Sequence, residues 1–187
     1  MRIGFLGSHS TGKTSVADEI VRSRLLDDIA FVPSTARKIN SYGYPINQQA
    51  TPVSQFLVTV SRMVDEDTIA SGHHRYTVSD RTPLDSLAYT HWQANNVWNM
   101  QADDPYLTYS RELVLTHMKK YDHVFFFPVT WGLVADGIRS DSEKYRIEVG
   151  GLMKSLADFY GVRYHTVPDV SPMGRAAYII DVVTGAI

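Results

Sequence analysis

The stretch that most constrains this chain is Met1 to Thr14, MRIGFLGSHSTGKT. An apolar run, Ile3 to Leu6, leads into a segment that fits G-x-x-x-x-G-K-[ST] at each fixed position: Gly7, Gly12, Lys13 and Thr14. The glycines let the backbone curl tightly, so that successive N–H groups point inward at phosphate oxygens. The candidate phosphate cradle is therefore Gly7, Ser8, His9, Ser10, Thr11, Gly12, Lys13, Thr14 and Ser15. Lys13 is expected to reach the β- and γ-phosphates, and the Thr14 hydroxyl to ligate Mg²⁺. Thr14 to Arg24 is helix-compatible, which sets the loop at a helix N-terminus, where partial positive charge favours anions. A Gly/Ser turn that binds nothing would satisfy the same spacing. The position between a strand and a helix is what favours a nucleotide-phosphate site.

At 187 residues the chain is expected to form one domain with a proper core. The absence of cysteine removes disulfides, thiolate catalysis and Cys-based zinc sites. Apolar runs are too short to span a bilayer and the N-terminus lacks a signal-peptide pattern, so a cytoplasmic location is expected. A net charge of −2 argues against a strongly basic nucleic-acid-binding domain and leaves a local basic groove open.

Further along, Ile29 to Val32, Tyr76 to Ser79, Val124 to Phe127 and Tyr164 to Val167 read as short strands. Helical spacing marks Pro52 to Ser71, through Phe56, Leu57, Val60, Met63 and Val64, with Gly72 as its stop. Helices are also expected over Pro83 to Trp98, Pro105 to Tyr121, Ser142 to Tyr160 and from Ser171-Pro172 to about Val183. Gly150-Gly151 weakens the third of these by roughly 1 kcal/mol per glycine. Ser34 to Thr51 and Asn95 to Asp104 read as mostly loop. Strands alternating with helices imply an α/β fold with a parallel sheet covered on both faces. Ligands bind such sheets beyond the carboxyl ends of the strands, where the Gly7–Thr14 loop and Asp80-Arg81 both fall.

Asp80 is the best candidate for the acid that holds Mg²⁺, directly or through water. It can equally serve as acceptor of a substrate hydroxyl proton, or merely cap the helix that starts at Pro83. Arg81 suits an anionic substrate or a transferring phosphoryl group, with a surface ion pair as the plainer reading. Asp136-Gly137-Ile138-Arg139-Ser140-Asp141 is a third candidate. An arginine on a glycine-containing stretch can swing over a nucleotide, and Arg139 is the first choice with Arg146 in reserve. A solvated helix-entry loop is the alternative. Asp65, Glu66 and Asp67 read as a solvated helix face, and His73-His74 as an exposed turn. Tyr42, Tyr44, Trp92 and Trp98 could stack on a base, with core or rim as the plainer reading for most of them.

Gly7 to Thr14, then Val78-Ser79-Asp80-Arg81 with Asp85-Ser86-Leu87-Ala88-Tyr89, resemble the thymidylate-kinase-like group of P-loop kinases. Pro33 to Arg37 and Asp136-Gly-x-Arg139 resemble the AAA-type P-loop kinase domain of ribosylnicotinamide kinases and many phage proteins. The resemblance spans residues 1 to about 160. It implies the P-loop NTPase fold with a five-stranded parallel core, ATP as donor and a lid over about residues 131–146 bearing Arg139. It also implies a nucleoside- or nucleotide-type acceptor near Arg37 and Arg81. Such kinases commonly carry an acid after the second strand, where this chain has Ser34 and Thr35. One branch phosphorylates 5-hydroxymethyluracil within DNA in phages, which would place the chain in the host cytoplasm. Together these features point to an ATP·Mg²⁺-dependent phosphotransferase, with a regulatory nucleotide-binding switch as the competing class.

Overall fold

The computed structural model describes residues 1–130, 132 and 142–187. The expected lid therefore lies largely outside the described residues, and Arg139 with it. The described residues form five strands: β1 (Arg2–Leu6), β2 (Ile29–Val32), β3 (Tyr76–Ser79), β4 (His123–Phe126) and β5 (His165–Thr166). Among the helices, α1 (Lys13–Ser23), α2 (Ala36–Ser41), α3 (Pro52–Ala70) and α4 (Pro83–Gln93) precede the fourth strand with α5 (Pro105–Met118). The last two are α6 (Glu143–Phe159) and α7 (Pro172–Thr184). The strands form one sheet in the order β2-β3-β1-β4-β5, and each pairing is parallel. This is the doubly covered α/β fold expected from the sequence, with five strands.

Side-chain alternation along the inner strands divides the core in two. Ile3 and Phe5 of β1, with Phe125 of β4, pack against Val16 and Ile20 of α1 and Ile179 of α7. Leu6, Val124 and Phe126 enter the opposite cluster with Leu84, Leu87, Val114, Val149 and Met153 from α4, α5 and α6. Each such side chain, taken fully out of water, contributes about 1.5–3 kcal/mol. Both faces being buried explains why the strands are short apolar runs rather than alternating ones. Among the described residues, no helix is long and apolar enough to cross a membrane.

Four helices, α3, α4, α5 and α7, start at hydroxyl- or carboxylate-proline pairs. Thr51-Pro52 opens α3 and Thr82-Pro83 opens α4, each with a reciprocal capping box closed by Ser54 and Asp85 respectively. Asp104-Pro105 and Ser171-Pro172 start α5 and α7 with side-chain caps to Tyr106 N and Gly174 N. Thr82, not Asp80, is thus the cap of α4.

Four local expectations change. Ser34 to Thr51 contains the short helix α2 and a single 3₁₀ turn at Asn47–Gln49. Only Ile39 of α2 is buried, so no apolar period marks it. Asn95 to Asp104 begins inside a π-helical turn, Ala94–Trp98, that prolongs α4 and stops where Asn99 turns left-handed. Gly150-Gly151 does not interrupt α6, because Gly150 serves a close approach. A Cβ there would lie 3.0 Å from Val129 Cγ2 and 3.3 Å from Ser8 Oγ. The acidic trio on α3 also divides, with Asp65 and Asp67 paired at the surface to Lys38 and to Arg2 and Lys120. Glu66 instead is buried among Arg62, His117 and Tyr121.

Candidate functional site

The β1–α1 loop leaves the centre of the sheet through Gly7, where a Cβ would meet the Phe127 carbonyl oxygen at 2.7 Å. Gly12, with φ 85°, takes the left-handed conformation that starts α1. Ser10 adopts φ 55° without that freedom, a local strain of the kind functional loops hold. Within the loop, Thr11 Oγ1 donates to the Ser8 carbonyl at 3.0 Å. Lys13 Nζ donates to the Gly7 carbonyl at 2.7 Å, the Ser8 carbonyl at 2.5 Å and Thr11 Oγ1 at 3.0 Å. The ammonium therefore sits inside the ring that its own loop makes.

Two buried arginines grip the loop from outside. Arg146 of α6 donates to the Ser10 carbonyl at 3.2 Å and is paired with Glu143 at 2.8 Å. Arg175 of α7 donates to the Thr11 carbonyl at 3.1 Å, to Thr130 Oγ1 at 3.0 Å and to Asp169 at 2.9 Å. Arg146, held in reserve above as a mobile arginine, is a loop brace in this structure. Burial pulls the Arg175 guanidinium below its usual value while Asp169 acts against that shift.

Strand β3 ends against the loop, as expected. Thr14 Oγ1 donates to Asp80 Oδ2 at 2.6 Å, so the first helical hydroxyl and the strand-end carboxylate share one point. Arg81 follows in a left-handed conformation, φ 101°, rare for a residue with a side chain. Its guanidinium reaches the Gly7 carbonyl at 3.3 Å and Asp85 Oδ1 at 3.4 Å, and lies 5.6 Å from the Tyr89 ring centre. Burial disfavours the charge, but Tyr89, Asp85 and Asp80 around it raise its pKa above the usual value. The ion pair is largely buried rather than a surface contact.

Asp85 is the residue that ties these parts together. Its carboxylate accepts from Gly7 N at 3.2 Å, Thr82 N at 2.7 Å and Thr82 Oγ1 at 2.9 Å, besides Arg81. The Thr82-Pro-Leu-Asp85 spacing is that of a capping box, but nothing local points to the second task of Asp85 at Gly7. His9 is buried under Tyr89, with Nδ1 and the Tyr89 hydroxyl 3.4 Å apart.

A cavity of about 500 Å³ opens over the loop. His9 to Ser15, Asp80, Arg81 and Arg37 line it, so the structure brings the described candidate residues to one space, with Gly7 and Ser8 forming the loop behind. It is also lined by Phe31, Ser34, Ile46, Gln55, Val58 and Arg62. Among the described residues, the buried Thr35 hydroxyl beside it has no hydrogen-bond partner. The four aromatic candidates Tyr42, Tyr44, Trp92 and Trp98 do not line it: Trp92 packs edge-on against Tyr145 at 4.5 Å, and Trp98 donates to the Ala50 carbonyl. Tyr42 and Tyr44 are exposed, and His74 is engaged by Asp28 at 2.8 Å in an exposed turn.

A family model described as an AAA domain matches residues 2–175. No curated protein matches the chain in sequence. Among solved structures, the fold is similar to the NadR protein in complex with NR, with TM-score 0.74 and 13% identity over 98% of this chain. The chain spans 50% of the length of that NadR chain. It is also similar to deoxyadenosine kinase from M. mycoides with the products dCMP and a flexible dCDP bound. That likeness has TM-score 0.70 at 14% identity, covering 99% of this chain and 100% of the kinase. Thymidylate kinase from Ehrlichia chaffeensis follows at TM-score 0.65 and 14% identity, covering 98% of each chain. At such identities the likeness carries the fold, and the chemistry has to be argued from this chain's own residues.

Proposed function

The chain belongs to the AAA-domain family, and on that premise we propose that it is a P-loop kinase. In this reading it moves the γ-phosphate of ATP to a nucleoside- or nucleotide-type acceptor. The observation that carries the proposal is a cavity lined by two unlike sets of residues, with Thr14 and Asp80, 2.6 Å apart, both among them. One set belongs to the phosphate-binding loop. The other joins the apolar Phe31, Ile46 and Val58 to Arg37 and Arg81. A switch needs the first set alone.

Lys13 and the loop amides hold the β- and γ-phosphates in this reading. Thr14 and Asp80 are an all-oxygen pair suited to Mg²⁺. Mg²⁺ held there would supply positive charge to offset the charge that develops on the transferring phosphoryl group. Asp85 is committed to the donors already named, which makes Asp80 the carboxylate suited to a metal or a substrate proton. Transfer forms a bond from an acceptor oxygen to the γ-phosphorus and breaks the bond to the β-phosphate oxygen, leaving ADP. Catalysis is then mainly positioning and charge neutralisation. Arg81 and Arg37 are assigned to the acceptor side. With Ser34 and Thr35 after β2 and Arg37 and Arg81 lining the pocket, an acceptor that itself carries a phosphate is the best match.

The deciding experiment offers γ-labelled ATP to nucleosides, nucleotides, unmodified DNA and 5-hydroxymethyluracil DNA in parallel. Label in a nucleotide is the expected result. Label only in 5-hydroxymethyluracil DNA would assign the phage-type reaction, and slow ATP hydrolysis with no labelled acceptor would favour a switch. Arg139, outside the described residues, is assigned the lid role by its Asp-Gly-x-Arg setting. Arg139→Ala is expected to lower turnover by about tenfold to a thousandfold while changing ATP binding far less. A collapse in ATP affinity with unchanged turnover at saturation would remove that role.

A further inference from the structure

Arg62 and Glu66 sit one turn apart on α3, both almost wholly buried, beside a pocket whose assigned ligands do not include Glu66. Charges taken from water into a core cost several kcal/mol each unless their donors and acceptors are used. Glu66 accepts from the Tyr121 hydroxyl at 2.6 Å, with Oε2 2.8 Å from His117 Nε2 and Oε1 3.7 Å from Arg62. Burial together with the Glu66 charge holds the Tyr121 phenol well above its usual pKa, so Tyr121 stays a donor. The carboxylate is thereby fixed from α5 and from the turn before β4.

Arg62 spends its other contact on main chain. Its Nη1 donates to the carbonyl oxygen of Arg81 at 2.9 Å. Arg81 is the left-handed residue at the corner between β3 and α4, and such a conformation persists only where surrounding structure over-determines it. The corner is held on two further sides. Asp85 takes the Thr82 amide, and Gly4 leaves room for Thr82 and Tyr121, whose side chains would lie 2.6 Å from a Cβ on it.

We propose that Arg62, backed by Glu66, is a positioning residue that holds the left-handed Arg81 corner and so aims the Arg81 guanidinium into the cavity. The inference about aim rests on the kinase reading; the inference about the corner does not. In this role Arg62 acts through the main chain of Arg81. The buried pair is then a strut between the α3–α5 packing and the acceptor side of the site.

Two double-mutant cycles test this separately. In the first, thermal unfolding is read for Arg62→Met, Arg81→Gly and the double variant, with no substrate present. Glycine adopts a φ near that of the corner without strain, so the strut has less to hold. Arg62→Met is expected to lower Tm by about 5 °C or more alone and by clearly less when combined with Arg81→Gly. Equal losses in both backgrounds would overturn the proposal. In the second cycle, turnover on the labelled acceptor is read for Arg62→Met with and without Arg81→Ala. The loss is expected to be about tenfold or more with Arg81 present, under about twofold without it, with KM for ATP unchanged. An equal loss of turnover in both backgrounds, or a raised acceptor KM in both, would overturn the aiming role. If Arg62→Met does not fold, Arg62→Lys, which keeps a cation beside Glu66, is carried through the same cycles. Absence of any labelled acceptor with a coupled first cycle would sink the kinase reading and leave the strut standing.

Discussion

Lys13→Ala is expected to abolish phosphoryl transfer, by at least about a thousandfold in turnover, and to leave a folded protein. Within the loop the ammonium donates to Gly7 O, Ser8 O and Thr11 Oγ1. An ammonium has three protons, so a phosphate oxygen gains its charge by taking over one of these bonds rather than by adding a fourth. By this exchange the developing charge on the γ-phosphoryl group gains a fixed cation. The fold survives because the loop is also closed by Thr11 and gripped by Arg146 and Arg175. Circular dichroism melts and transfer from labelled ATP check both halves. Undiminished turnover in a folded variant would remove Lys13 from the site.

Arg175→Met should reach the same loop from behind. Methionine fills the stem volume but leaves the Thr11 and Val170 carbonyls, Thr130 and Asp169 without the guanidinium. Charged hydrogen bonds of this kind contribute about 1.5–3 kcal/mol each, and the exposed Asp169 regains water, so a net loss of about 2–4 kcal/mol is expected. For a domain of this size that corresponds to a fall of roughly 5–15 °C in Tm. Nucleotide affinity should fall with it, since the Thr11 carbonyl no longer has its anchor. A Tm within about 2 °C of the parent would show that α7 only packs against α1 and does not support the loop.

Neither Arg175 nor Arg62 could be singled out from the residues alone, and the reason is physical. The P-loop motif, the strand-end Asp80 and the proline-marked helix starts are local patterns, in which neighbours along the chain decide the structure. Arg175 meets Thr11 across most of the chain's length, and a cation in an apolar helix looks the same whether it points at solvent or at a buried carbonyl. Glu66 shows the same limit, lying between two surface acids with nothing in the trio to distinguish the buried one. Helix α2 escaped for a different reason, since it is a short helix with a single buried side chain. The Gly150-Gly151 pair reads as a weakness in α6 by propensity, and Gly150 proves to be the clearance for Ser8.

The strand order also bears on how such a protein can change. The loop assigned to the donor springs from β1, which has neighbours on both sides, whereas Ser34 and Arg37 follow β2, an edge strand paired only with β3. An edge can shift its register, lengthen or rebuild its following loop at the expense of one ladder of hydrogen bonds, while the middle of a sheet cannot. The loop after β2 is therefore freer to be rebuilt on this frame than the loop after β1.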